Sequence, residues 1–181
     1  MTGVEPIAEM RAVFERAVPA ATAVAGTSEA IPLGDEVADA VTAAQSFHWF
    51  DPSRALPEIH RVLRHGAGVA LIWNIRDRSH PLHQQYAELL RPYRGGTYPE
   101  QEQHGDALAV SPLFTDVEAR DFRHVQLLDA DGLVARARSV SFVAQLAPDE
   151  RDRLLERVRA IAPEGEFEFP YVTKVFTARS R

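Results

Sequence analysis

Gly68-Val69-Ala70-Leu71-Ile72-Trp73 runs through six residues without a charge. A short, uniformly apolar run is what a parallel strand covered on both faces requires, because it has no solvent side on which to alternate. Ahead of it, Asp51-Pro52 reads as a helix cap followed by a first-turn proline. The helix they open carries Ala55, Leu56, Ile59, Val62 and Leu63 on one face and is expected to close at Gly66. Val37 to Ala44, entered through Asp39-Ala40-Val41, reads as another strand before that helix. Strand, helix and strand in succession form a crossover unit, and the chain is expected to be an α/β protein.

The pattern extends both ways. Pro6 suits a first helical position, with Ile7, Met10, Phe14, Ala17 and Val18 at helical spacing and Met10 expected in the core. Pro19 stops that helix, and Ala20 to Val24 is a short strand leading into Gly26-Thr27-Ser28-Glu29. Beyond Asn74, residues 76–80 are polar, Leu82, Tyr86, Leu89 and Leu90 mark a helix, and 92–106 has loop or lid composition. Val117 to Leu128 is a strand candidate with polar interruptions. Pro148 opens a helix with Leu154, Leu155, Val158 and Ile161 that Pro163 ends, and Tyr171 to Ala178 is the last strand. Residues 1–181 read as a single domain, with 75–112 as a lid or substrate-variable insertion.

Composition excludes several classes. Lys+Arg 20 against Asp+Glu 26 gives −6, which disfavours a binder that tracks nucleic-acid phosphates. With no cysteine there are no disulfides, thiolate metal sites or cysteine nucleophiles. No apolar run of membrane-spanning length is present, so a cytoplasmic protein without a membrane partner is expected. The arginines of 151–159 interleave with Asp149, Glu150, Asp152 and Glu156, the pattern of a salt-bridged helix exterior.

Gly3-Val4-Glu5-Pro6 places a carboxylate where a hydrophobic strand hands over to a helix. Nucleotide-binding α/β folds end their second strand this way, the acid accepting hydrogen bonds from the ribose hydroxyls. The competing reading is an ordinary carboxylate stabilised by a helix N-terminus. In the nucleotide-binding pattern a glycine-rich turn precedes the acid by ~20 residues, which here would lie upstream of Met1. The expectation is therefore a truncated start, with the in-frame DNA upstream encoding that turn.

The order Glu5, Gly26-Thr27-Ser28-Glu29-x-Ile31-Pro32-Leu33 and Asp39-Ala40-Val41 resembles the class I S-adenosylmethionine-dependent methyltransferases. Ala44-Gln45-Ser46-Phe47-His48-Trp49-Phe50, then Glu58-Ile59-x-Arg61-Val62-Leu63-Arg64-x-Gly66, narrows the resemblance to small-molecule enzymes with a Q-x-F-H-W-F loop. It covers nearly the whole chain, to Phe169-Pro170-Tyr171-Val172-Thr173. Two features depart from the pattern: the glycine-rich first motif is absent, and the turn usually written R-P-G-G is Arg64-His65-Gly66-Ala67.

The resemblance implies an incomplete, doubly wound Rossmann-like sheet that lacks its first strand and flanking N-terminal helices, with an antiparallel last strand. It implies S-adenosyl-L-methionine as cofactor, on Glu5, Ser28, Glu29 and Gln45, with weak binding expected of the isolated chain. Trp49 and Arg76 would stand in the wall of the substrate pocket, and His48 would act as the general base. Phe50 reads as core. Asp77, Tyr93 and Tyr98 lie in the lid, and no metal is expected, since His80 and His83 read as a solvated face. The expected reaction is methyl transfer to a small molecule. The alternative is a truncated, non-catalytic binding or interaction protein. In either case exposed sheet edges would template a homo-oligomer.

Overall fold

Strand β1 (Thr2–Val4) leads into helix α1 (Ala8–Ala17) and strand β2 (Thr22–Val24), and β1 pairs with β2 in parallel from Thr2↔Thr22 to Val4↔Val24. The computed structural model describes residues 1–95 and 105–181. Strand β3 (Ala38–Ala44), a 3-10 turn (Phe47–Trp49), helix α2 (Pro52–Val62) and strand β4 (Leu63–Arg76) follow. Next come helix α3 (Pro81–Leu90), helix α4 (Asp106–Val110), strand β5 (Phe114–Leu128), helices α5 (Ala130–Arg138), α6 (Ser141–Ala144) and α7 (Pro148–Ala160), and strand β6 (Phe167–Ser180). A second sheet has the order β3-β4-β6-β5, with β3 parallel to β4 and the last strand antiparallel. The molecule is an α/β protein with an open, Rossmann-like mixed sheet. Among the described residues no strand joins the two sheets.

The crossover works as the sequence suggests. Asp51 caps α2 by accepting from the Ser53 N–H at 3.0 Å, and Pro52 takes the first turn, where a missing N–H costs nothing. Ala55, Leu56, Ile59 and Val62 are buried, as are Val69, Leu71 and Trp73 of β4. The helix does not reach Gly66. It ends at Val62, and β4 takes over at Leu63, so the expected turn at residues 64–67 becomes a bulge. Between the pairs Ala38↔Leu63 and Ala40↔Gly68, the single residue Asp39 of β3 faces the four residues 64–67 of β4. Gly66 absorbs that excess at φ 75°, a conformation that favours glycine, and its carbonyl accepts from Arg179 at 3.0 Å.

The described chain forms two compact units. Residues 1–73, the described part of 101–120 and 175–181 form the first, with a core that includes Phe47, Leu56, Ile59, Leu71, Trp73, Leu108 and Phe114. The described part of 74–100 together with 121–174 forms the second, built on Leu82, Tyr86, Leu90, Leu133, Leu154, Val158, Phe169 and Tyr171.

Two expectations about side chains are overturned. Met10 is not core: Ile7, Met10 and Val13 are 54%, 54% and 49% exposed, because the apolar face of α1 turns to solvent while Phe14 alone leans on Gly3. His83 is not on a solvated face. It is 2% exposed, because α3 buries the stripe Leu82, His83, Tyr86 and Leu90. Helices α5 and α6 were not anticipated in the sequence. No helix among the described residues is long and apolar enough to cross a membrane.

Candidate functional site

Glu5 sits where β1 ends. Its N–H donates to the Val24 carbonyl at 3.1 Å, which carries the β1–β2 ladder one residue further. Its Oε1 accepts from the Ile7 N–H at 2.9 Å, and Arg11 Nη1 donates to the Glu5 and Pro6 carbonyls at 2.8 Å each. The carboxylate thus serves the start of α1 through one oxygen, and the residue remains partly exposed.

The loop after β2 is pressed against this strand end and pinned from the other side. A Cβ on Gly26 would stand 2.5 Å from Pro32 Cδ and 3.1 Å from Val4 Cγ1, so only glycine fits. Ser28 Oγ donates to Glu29 Oε1 at 2.7 Å, and the Asp51 N–H donates to the same oxygen at 3.0 Å. The Ser28 hydroxyl is the main reason the Glu29 carboxyl titrates below its ordinary value; burial works against it and the Asp51 N–H adds to it. Further along, Arg61 on α2 clamps the loop. Its Nη2 reaches the Ile31 carbonyl at 2.9 Å and its Nη1 reaches Leu33 O at 2.8 Å and Asp35 at 2.7 Å. Glu58 accepts from the Ile31 N–H at 2.9 Å and holds Arg61 through both its carboxylate oxygens, at 2.8 Å each. Arg61 holds the Glu58 carboxyl down to about 2.

The turn after β3 supplies the third group. Gln45 adopts φ 53°, left-handed for a residue with a side chain, while its N–H continues the sheet ladder to Ile72 O at 2.9 Å. Such strained positions recur at functional sites. Phe47 anchors the turn: it is buried and meets Phe50 edge-on at 5.4 Å and Trp73 at 6.4 Å. Phe50 is half-buried. His48 is partly buried, and that burial lowers its pKa below 6.5. Trp49 is 70% exposed, with its ring tilted against His48 at 4.9 Å.

In the first unit, Glu5 and Gly26 are held at the ends of β1 and β2, and Ser28, Glu29 and Asp51 are joined through the Glu29 carboxylate. Gln45, His48 and Trp49 occupy the same β3–α2 connection as Asp51. Arg76 lies in the second unit, its guanidinium over the Tyr86 ring at 5.1 Å. Asp77 caps the following turn, accepting from the Ser79 N–H at 3.0 Å and hydroxyl at 2.6 Å. Tyr93 is half-buried; Tyr98 lies outside the described residues. His80 and His83 meet edge-on with ring centroids 5.8 Å apart, and no group of three or more His, Asp or Glu side chains among the described residues could hold a metal. Sequence reasoning quoted Glu58 and Arg61 within a motif but gave them no role as loop anchors. Their spacing of three on a helix, opposite a loop rich in carbonyls, was the available signal.

A family model described as a methyltransferase domain matches residues 1–71. An uncharacterized methyltransferase of Mycobacterium bovis is 34% identical over 180 residues, which covers 96% of this chain and 71% of that protein. The malonyl-[acyl-carrier protein] O-methyltransferase of Herminiimonas arsenicoxydans is 30% identical over 105 residues, 58% of this chain and 37% of that one. Among solved structures, the phosphoethanolamine N-methyltransferase 2 of Haemonchus contortus aligns with a TM-score of 0.54 and 17% identity, covering 99% of this chain and 43% of that chain. That structure holds phosphomonomethylethanolamine and S-adenosylhomocysteine.

Proposed function

Because this chain belongs to the class I methyltransferase family, we propose that it transfers a methyl group from S-adenosyl-L-methionine to a small-molecule acceptor. The observation that carries the reading is the pair of anchored strand-end groups, with Glu5 held to the end of β2 through the Val24 carbonyl, and Ser28 and Glu29 held to the β3–α2 connection through the Asp51 N–H. Open α/β sheets bind their ligands at this edge.

The residues present suit the nucleoside part of the cofactor. A ribose diol offers two hydroxyl donors, and Glu5 brings a partly exposed carboxylate to the strand end. An adenine edge asks for a donor and an acceptor, which residues 28 and 29 supply. Glu29 has a second duty, because its Oε1 already ties the loop to the Asp51 cap. Gln45 would complete the set from the strained turn. When bound, S-adenosylmethionine supplies a methyl group activated by a sulfonium charge. The protein's share is to position the acceptor, exclude water and take a proton. His48 suits the last role: burial keeps its imidazole neutral at pH 7, ready to accept a proton at a ring nitrogen.

The test is calorimetric titration with S-adenosylhomocysteine of the parent chain and of Glu5→Gln. Loss of a charge-assisted bond to the diol, ~1.5–3 kcal/mol, weakens binding by roughly ten- to a hundredfold. An unchanged affinity in Glu5→Gln refutes the assignment.

A further inference from the structure

Two arginines of the second unit carry positive charge that no carboxylate among the described residues meets. Arg76 and Arg136 are both partly buried, and among the described residues neither has a carboxylate within ion-pair distance. Each instead lies over a tyrosine ring, Arg76 over Tyr86 at 5.1 Å and Arg136 over Tyr171 at 5.0 Å. The two tyrosines flank Phe169, with ring centroids 5.8 Å and 5.6 Å from it, so the four side chains form one group. A cation–π contact returns about 0.5–2 kcal/mol. That is less than the several kcal/mol that removing a cation from water costs.

The unmet demand is also directional. Tyr86 is fully buried and Tyr171 is 2% exposed, yet neither hydroxyl has an acceptor among the described residues: the groups beside them are the guanidinium donors of Arg76 and Arg136. Arg136 Nε is buried in the same state. A buried polar atom without a partner costs about 1–3 kcal/mol, so three in one place call for an explanation. Burial lowers the pKa of Arg76, and the like charges of Arg136 and Arg94 lower it further. His83 does not add a third fixed charge, since burial holds it neutral near pH 7 while its Nε2–H donates to Pro170 O at 2.6 Å. Two guanidinium forks and two phenol O–H groups are donors, and what they lack is an oxyanion.

The geometry points to a binding site for a small oxyanion, a carboxylate in the first instance, formed by Arg76, Arg136, Tyr86 and Tyr171 within the second unit. A planar guanidinium pairs with a carboxylate through two parallel bonds, and a phosphate presents the same oxygen spacing. Arg76 and Arg136 are each only half-buried as residues, so the group is not sealed from solvent. The site is independent of the cofactor cluster in the first unit and stands or falls without it.

Calorimetry of the 181-residue chain at low ionic strength, with malonate and separately with inorganic phosphate as titrants and chloride as control, tests it. Saturable binding of malonate, with phosphate weaker, supports a carboxylate site; the reverse order overturns that choice and assigns phosphate. Arg136→Gln is expected to weaken binding by about ten- to a hundredfold. In case that variant fails to fold, Tyr171→Phe keeps the ring and removes only the hydroxyl. It should reduce affinity severalfold while leaving the melting temperature level or higher, because the unpaired hydroxyl is gone. Two outcomes overturn the proposal: no saturable binding of either ion, or equal binding by the parent and Tyr171→Phe.

Discussion

Gly26→Ala should damage the cofactor loop from within. The new Cβ would lie 2.5 Å and 2.9 Å from the ring carbons of Pro32 and 3.1 Å from Val4 Cγ1. A proline ring cannot rotate aside, and its neighbours Ile31 and Leu33 are held by Glu58 and Arg61, so relief must come from moving backbone. Overpacking of this kind costs about 1–3 kcal/mol and occasionally more; with two contacts under 3.0 Å, about 3 kcal/mol is expected. For a chain of this length that corresponds to roughly 6–12 °C in melting temperature. Both tryptophans, Trp49 and Trp73, belong to the first unit and the described tyrosines to the second, so fluorescence excited at the red edge, where tyrosine does not absorb, follows the first unit's unfolding. Urea titration by fluorescence gives the stability, and S-adenosylhomocysteine titration gives the effect on the loop. Gly34→Ala is the control, since its Cβ meets only Val37 at 3.6 Å, an ordinary contact. A Gly26→Ala protein within about 0.5 kcal/mol of the parent, and no different from Gly34→Ala, would refute the close packing of this loop.

His83 has a folded pKa of about 4 against about 6.5 unfolded. The unfolded chain therefore binds the extra proton first, so stability is level above pH 6.5 and falls as pH drops toward 4, by roughly 3 kcal/mol at most. His83→Phe should flatten that part of the pH–stability curve, and an unaltered slope counts against the burial. Glu58→Ala deprives the Ile31 N–H of its 2.9 Å acceptor, and hydrogen exchange at Ile31 should accelerate by about tenfold or more; unchanged protection would remove Glu58 from the loop clamp. Gly66→Ala meets no atom within 4 Å, so its cost is backbone strain alone at φ 75°, about 1–2 kcal/mol by urea unfolding. A neutral result there would mean the β4 bulge relaxes. Substituting His48 by Gln, if it is the proton acceptor, should lower kcat by about 10²–10⁴, with cofactor affinity unchanged.

The legible parts of the fold were those with more than one local signal. β4 announced itself through its unbroken apolar run, although within it only Val69, Leu71 and Trp73 are fully buried and Ala70 and Ile72 are half-buried, and α2 because a cap, a first-turn proline and a four-residue apolar stripe agree. α5 gave only Leu133 and Ala137 as buried positions, too thin a stripe to read, although Asp129 does cap it by accepting from the Gly132 N–H at 2.8 Å. Met10 shows the opposite failure. Its periodicity is helical, but periodicity states which face is apolar and not whether anything covers it. His83 was misread although its signal was present, since His83, Tyr86 and Leu90 fall at i, i+3 and i+7 on one face. Grouping it with His80 as a ligand pair hid that spacing.

The candidate site divides along the same line. Glu5, Ser28, Glu29 and Gln45 can be placed beside strand ends from the sequence, because each sits a short, fixed distance from one; their joint hold on a cofactor is what the Glu5→Gln titration tests. Arg76, Arg136, Tyr86 and Tyr171 come from β4, α5, α3 and β6, as many as 95 residues apart, and meet only through packing. A sequence can state that an arginine follows a strand; it cannot state that the arginine's counter-charge is missing. That deficit is a property of the assembled interior, since it exists only once the neighbours are placed and none of the described ones is a carboxylate. Replacing Arg136 by methionine separates the two accounts of that interior. If the guanidinium merely fills space over Tyr171, the variant should gain stability by shedding a desolvated cation, and added malonate should stabilise parent and variant alike. If it receives an oxyanion, malonate should raise the parent's melting temperature and leave the variant's where it was.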